Sequence, residues 1–392
     1  MPDAVIVSAC RTAIGTARKG SLTETEATVL GRAVVEESLE RTGIAPKEFD
    51  DLILAESLYG GGVLARYVAL EAGLESVPGL AQNRHCASGL SAIDTASASI
   101  MAGMDTAVIA GGVQSSSTSP VSKKRVVGTA DWVDWMSPSH PDSPDAPTWD
   151  MSITVGWNTA RIAGISREEM DAWALRSHQR AIAAIDEGRF AKEIVPLKVT
   201  TGDGSTIVFE VDEHPRRGSS MESLAGLKPL HPEIPDFSIT AGNSSGINDA
   251  ASVVVLTSDR FAGEHGLAPL AKVRSWASVG VNPYDTGIAP TLAIPKALGR
   301  AGLTVSDVAL WEINEAFAVV PIAACQILDI DPELVNISGS GCSLGHPIAA
   351  TGARMVTTLI YDLQRRGGGI GVAAMCAGGG MGGAVVIEVP AG

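Results

Sequence analysis

Hydrophobic and polar positions change period several times along the chain, and each change marks an element. "AVIVSA" opens as a short apolar run, "ATVLGRAVVEESLERTG" spaces its apolar residues at helical intervals, and "DDLILAE" returns to a strand pattern. A helix of small residues follows in "SGLSAIDTASASIMAG" and leads into another strand, "TAVIAGG". Such alternation predicts a parallel or mixed α/β sheet covered by helices. The last third repeats the scheme in "LAIPKALGRAGL", "VALWEINEA", the segment after "GHP", and a terminal apolar stretch. That stretch, residues 367–387, carries no charge and is long enough to cross a bilayer. Its nine glycines make a poor helix, so two buried strands, "IGVAAMC" and "GGAVVIEV", joined by a glycine turn are predicted instead.

The first and last thirds match each other. "TGIAPKEFDDLILAES" and "AGLTVSDVALWEINEA" both read as a helix ending in glycine, a turn, an acidic residue and a strand finishing in glutamate. Gly43 and Gly302 stand 259 residues apart, and the same step from Cys86 lands on residue 345, beside His346. An internal duplication is expected. Residues 115–246 differ in kind: they are rich in Pro, Ser and Trp around "SPSHPDSPDAPTW" and hold two helical segments, the second capped by Ser166 with Glu169. The expected division is 1–114 with 247–267, an inserted unit at 115–246, and 268–392.

The chain has 392 residues, too many for one simple core, with 45% hydrophobic and 19% charged positions, as in an ordinary globular protein. A formal net charge of −15 argues against general nucleic-acid or membrane-surface binding. An anionic ligand would need a local basic patch, for which Arg216-Arg217 and Lys123-Lys124-Arg125 are the candidates. The five cysteines (Cys10, Cys86, Cys325, Cys342 and Cys376) form no CxxC pair, which speaks against zinc and iron–sulfur sites; no metal is expected. Their odd count, and a start that lacks a basic leader, predict free thiols in a reducing compartment, the cytoplasm.

Cys86 precedes the small-residue helix, where the helix dipole favours a thiolate. By spacing alone it reads either as a nucleophile or as a buried inert cysteine. His346 in "LGHPIAATG" stands at a second expected helix start, opposite Cys86 in the pseudo-repeat. Cys376 and Asn314 leave predicted strand ends, where α/β proteins place their sites, and the glycines after Cys376 could supply oxyanion N–H groups.

"NRHCASGLSA", "AGNSSGINDAAS", "EINEAFA", "LGHPIAATGA" and "MCAGGGMGG" occur in an order and spacing that resembles the thiolase family, and "RTAIG" and "GISREEMDAWALRSHQRA" extend the likeness over the whole chain. The resemblance implies a thiolase fold, five-layered α-β-α-β-α, from two duplicated halves with an inserted loop domain. It implies Cys86 as the acyl-accepting nucleophile, His346 as its base and Cys376 as the acid/base at the substrate α-carbon. Asn314, through a water, and His346 would form one oxyanion hole, and the N–H groups of Cys86 and Gly378 the other. It places Arg216, Ser223, Leu227 and Ser245 along coenzyme A, and Met151, Ala316 and Phe317 around the acyl group.

The implied activity is acyl transfer between CoA and 3-ketoacyl-CoA, degradative thiolysis first and biosynthetic acetoacetyl-CoA formation second. No permanent cofactor is implied, CoA being a substrate, and the family assembles as homodimers or dimers of dimers. A ketoacyl-synthase-like condensing enzyme fits less well because Cys376 is present. A non-catalytic acyl-CoA- or lipid-binding relative would need none of Cys86, His346 and Cys376. Asp150 and Thr286 stand where many relatives have His and Met, and Cys342 and Ala349 flank "GHP" where smaller residues are common; acyl specificity does not follow from the resemblance.

Overall fold

The computed structural model describes residues 2–57 and 63–392. The first half runs β1 (Ala4–Thr12), α1 (Ala27–Thr42), β2 (Asp51–Ala55), α2 (Leu64–Glu71), β3 (Gly79–Gln82), α3 (Ser88–Met101) and β4 (Ala107–Gln114). After a long excursion that contains α4 (Arg167–Asp186), β5 (Asn248–Ser258) returns beside β4. The second half runs β6 (Ala271–Gly280), α5 (Pro290–Ala301), β7 (Val308–Ile313), α6 (Val319–Leu328), α7 (Thr351–Arg365), β8 (Gly369–Ala377) and β9 (Met381–Val389). The uncharged glycine-rich stretch is thus the β8–β9 hairpin, and among the described residues no helix is long and apolar enough to cross a membrane.

Strand order carries the duplication. In the first half β3, β2 and β4 pair in parallel, β4 pairs antiparallel with β5, and β5 antiparallel with β1. In the second, β7 and β8 pair in parallel, β8 antiparallel with β9, and β9 antiparallel with β6. The counterpart of β3 has shrunk to one parallel bridge between Trp311 and Val335. Gly43 and Gly302 end α1 and α5 in matching left-handed conformations, φ 63° and 69°. The two halves of the sheet join edge to edge where Val5 and Ile6 meet Lys272 and Ala271.

Helices α3 and α7 pack against strands of both sheets and against each other, forming the central layer. Helices α1 and α2 cover the outer face of the first sheet and α5 that of the second, so the order is α-β-α-β-α. A helix wedged between two sheets has no solvent face, so its polar residues are buried along with its apolar ones. Every residue from Thr351 to Leu363 is accordingly buried, and α3 is built from Ser, Ala and Gly. The two helices cross at glycines: a side chain on Gly89 would meet the Ala349 carbonyl oxygen at 2.9 Å, and one on Gly352 the Leu90 nitrogen at 2.3 Å. Strand β5, covered on both faces, is buried along its whole length without alternation.

The excursion between β4 and β5 carries an exposed hairpin (Ser122–Arg125 with Trp132–Trp135) and then α4, whose Ser166–Glu169 capping box forms as expected. It is fastened to the first half by Arg11. This fully buried guanidinium donates to Glu193 at 2.8 Å and, through both terminal nitrogens, to Asp212 at 2.7 and 2.9 Å. The "RTAIG" block is therefore a structural anchor.

Candidate active site

Ser88 shapes the turn that presents Cys86. Its hydroxyl donates to the His85 carbonyl and accepts from the Arg84 N–H, both at 2.6 Å, while the Ala87 N–H returns to the Arg84 carbonyl. His85 is held at φ 46°, a conformation that costs a non-glycine residue on the order of 1 kcal/mol. Cys86 lies two residues before α3, outside the helix. Burial pushes its thiol up to about 11, against the pull of the N–H groups of Gly378 and of Cys86 itself, which favour the thiolate. Burial thus outweighs the lowering expected from the helix dipole. Both N–H groups lie near enough to the sulfur to favour its anion.

Cys376 lies near the end of β8, almost fully buried; burial and then the neighbouring Cys86 hold its thiol well above the usual thiol range. Beyond it, Gly379 and Gly380 turn through positive φ (89° and 74°), and the Gly380 N–H donates to Thr286 Oγ1 at 3.1 Å. Thr286 in turn donates to the Pro283 carbonyl at 2.6 Å, so it clamps the glycine turn.

Asn314 follows β7, fixed by its N–H on the Ala374 carbonyl at 3.0 Å. Its Nδ2 stands 3.5 Å from both ring nitrogens of His346. Its Oδ1 is buried beside Gly341, with no partner among the described residues. Helix α7 begins only at Thr351, so His346 sits a full turn before it rather than at its start. The imidazole is placed by Thr351 Oγ1, 2.7 Å from Nδ1, and by the Asn248 Oδ1 that accepts the His346 N–H at 3.0 Å. Burial, with the Arg354 charge behind it, holds His346 down at about 3. Arg354 itself pairs with the buried Glu312, two residues before Asn314.

Glu315 binds three segments together. Its carboxylate accepts from Trp173 Nε1 (2.9 Å) and Ser177 Oγ (2.6 Å) on α4, from Asn336 Nδ2 (2.8 Å) and from the Cys342 N–H (3.1 Å). Cys342 is buried, its thiol raised far above the usual range by burial and Glu315, and it faces the Glu315 carbonyl at 3.7 Å. Ala349 is buried against Gln114, whose side-chain oxygen accepts its N–H at 3.4 Å.

The expected substrate residues form two groups. Ser245 donates its N–H to the Ala316 carbonyl at 2.9 Å, and Ser244 bridges Phe317, so Ser245, Ala316 and Phe317 lie on one strip leading from Asn314. Met151 Sδ lies 3.8 Å from where a Gly378 side chain would begin. Farther out, Leu227 packs on Gly242, next to that strip, and Ser223 lies on the short helix Met221–Ala225 that ends just before Leu227. Arg216 is exposed, its N–H donating to His178 Nδ1 at 3.2 Å. Arg217 pairs with Asp186, and Lys123, Lys124 and Arg125 stand on the exposed hairpin.

Asp150 is not a free anion at the acyl wall: it accepts from the N–H and hydroxyl of Ser152 and from the Ile153 N–H, and meets His231 Nε2 at 2.7 Å. Three neighbours of the site went unnoticed in the sequence: Ser139, His140 and Asn248. Asn248 sits in the "GINDAA" block, where an asparagine beside glycines was its signal.

The family pattern described as thiolase, N-terminal domain, matches residues 4–260, and that of the thiolase C-terminal domain matches 267–389. The chain is 39% identical over 398 residues to an acetyl-CoA acetyltransferase of Cupriavidus necator, across 99% of this chain and 100% of that one. It is 40% identical over 404 residues to a 3-ketoacyl-CoA thiolase of Bacillus subtilis, with the same coverage. The crystal structure of the Bacillus anthracis acetyl-CoA acetyltransferase superposes with a TM-score of 0.89 at 38% identity, over 99% of each chain.

Proposed function

As the chain belongs to the thiolase family, we propose that Cys86 carries the acyl group in the acyl transfer which that family catalyses. The enzyme is an acyltransferase of CoA thioesters. In the degradative direction, His346 takes the Cys86 proton and the thiolate attacks the ketone carbon of a 3-ketoacyl-CoA. The bond between the α- and β-carbons breaks, and Cys376 gives its proton to the acetyl-CoA enolate that departs. A CoA thiol then passes its proton to Cys376 and attacks the acyl-enzyme. Cys86 leaves as thiolate and recovers its proton from His346.

The observation that carries this reading is the Asn314–His346–Thr351 arrangement, with Cys86 and Cys376 acting on each other and the Cys86 and Gly378 N–H groups favouring the Cys86 anion. Those two N–H groups would hold the thioester oxyanion, and Asn314, whose Nδ2 faces His346, would through a water and with protonated His346 hold the enolate oxygen. His346 is suited to accept a proton: if Thr351 donates to the Pro347 carbonyl (2.9 Å), Nδ1–H donates to Thr351 and Nε2 keeps its lone pair. Arg216, Ser223, Leu227 and Ser245 line the approach for CoA, and Met151, Ala316 and Phe317 wall the acyl group.

Seven relatives that match along nearly their whole length, that of Cupriavidus necator among them, bear the name acetyl-CoA acetyltransferase, which favours acetoacetyl-CoA formation as a second direction. The units 1–114 with 247–267, 115–246 and 268–392 serve as first half, loop domain and second half. We assign a cytoplasmic homodimer or dimer of dimers, to be read by light scattering. Mixing the protein with acetyl-CoA should add one acetyl group by intact mass, and Cys86→Ser should add none. An adduct that persists in that variant refutes the assignment.

A further inference from the structure

The wall beside the proposed oxyanion donor Gly378 is polar, and one group on it has hydrogen-bonding capacity to spare. Ser139 packs directly on the Gly378–Gly379 turn: a side chain begun at Gly378 would meet its Cβ at 3.7 Å and its Oγ at 3.8 Å, and one at Gly379 would meet its carbonyl oxygen at 2.7 Å. The neighbouring His140 is buried and doubly tied, Nε2 to the Ala146 carbonyl at 2.9 Å and Nδ1 to Ser139 Oγ at 2.8 Å. A carbonyl oxygen only accepts, so Nε2 carries the hydrogen, and Nδ1 of the neutral ring is then an acceptor. The Ser139 hydroxyl must donate to it. Its oxygen is left with lone pairs alone, one of them within 3.4 Å of the Thr148 hydroxyl.

Other polar groups around the turn are engaged. Thr286 both donates and accepts, and the Asp150 carboxylate is taken by Ser152, Ile153 and His231. Ser139 is half-buried, so it reaches the space beside Gly378 without being sealed from it. An acceptor in that place matches a donor on the substrate. A plain alkyl chain leaves it unmatched, and a carboxylate sets one acceptor against another.

We propose that Ser139 is a specificity-determining residue that accepts a hydrogen bond from a hydroxyl on the acyl group, so that the preferred substrates are short 3-ketoacyl-CoA esters that carry a hydroxyl beyond the ketone. The inference rests on the reading of Cys86 as nucleophile and Gly378 as oxyanion donor. A neutral hydrogen bond at a half-buried site corresponds to a preference of about five- to tenfold.

The test is thiolysis by the full-length enzyme of two short 3-ketoacyl-CoA esters that differ only in a hydroxyl two carbons beyond the ketone. The wild-type ratio of kcat/KM should favour the hydroxylated ester by about five- to tenfold. Ser139→Ala should bring the ratio to about one, and Ser139→Thr, which keeps the oxygen, should retain a preference. A wild-type ratio near one overturns the proposal without any variant, as does a preference that survives Ser139→Ala. Turnover of neither ester by the wild type, together with no acetyl adduct on Cys86, overturns the underlying assignment of the nucleophile instead.

Discussion

Two thiols and an imidazole at the centre of the molecule are all held neutral, which fixes how the site must start its work. Cys86 is pushed up to about 11 and His346 down to about 3, so the resting pair is thiol and free base, not thiolate and imidazolium. Inactivation by iodoacetamide should therefore keep accelerating as pH rises from 7 through 10, since the thiolate fraction grows all the way; a rate already flat at pH 7 would contradict the neutral pair. Acetyl-CoA should protect. Asn314→Ala removes the amide that is proposed to hold, through a water and together with the His346 imidazole, the enolate oxygen. It should cost kcat on the order of 10²–10³-fold while intact-mass acetylation of Cys86 persists. The identities of these residues were legible in the sequence because each follows a strand or precedes a helix inside a short block. Their proton affinities were not: those depend on burial between two sheets, which no local spacing encodes.

Elements set the site by where they begin, and the second half does so through a strained loop. Gly345 lies at φ 103°, and a side chain there would meet the Asn248 amide at 2.4 Å, the group that fixes the His346 backbone. Gly345→Ala should lower kcat by at least tenfold and depress the melting temperature, both read on the purified variant. Helix α4 acts on the other side. His178 accepts the Arg216 N–H, and burial, then the charges of His214 and Arg216, hold it down at about 4. The sign follows from that depression: below about pH 6.5 the unfolded chain takes up a proton that the folded chain refuses until about 4, so this contribution to stability is lost across that window. His178→Asn should lose less melting temperature than wild type between pH 7 and 4.5. Periodicity revealed both halves and α4, but it set α7 several residues early, because the Pro347 turn winds once before regular helix begins.

At the scale of the whole molecule, the pseudo-repeat was readable from a fixed step between glycines, and the strand order bears it out down to the vestigial bridge at Val335. The contacts of residues 115–246 were not readable, since Ser139 reaches Gly378 and Arg11 reaches Asp212 across about 200 positions or more. Arg11→Ala leaves two buried carboxylates without their cation and should destabilise the fold by about 3–5 kcal/mol in denaturant titrations. Glu315 makes a comparable tie between the excursion and the second half, and it bears on how such an enzyme can be re-engineered. Its carboxylate reads Trp173 and Ser177 on one side and Asn336 and Cys342 on the other. A chimera that imports the 115–246 stretch from another thiolase to change acyl range keeps its register with Asn314 only if the graft brings matching donors for this one carboxylate.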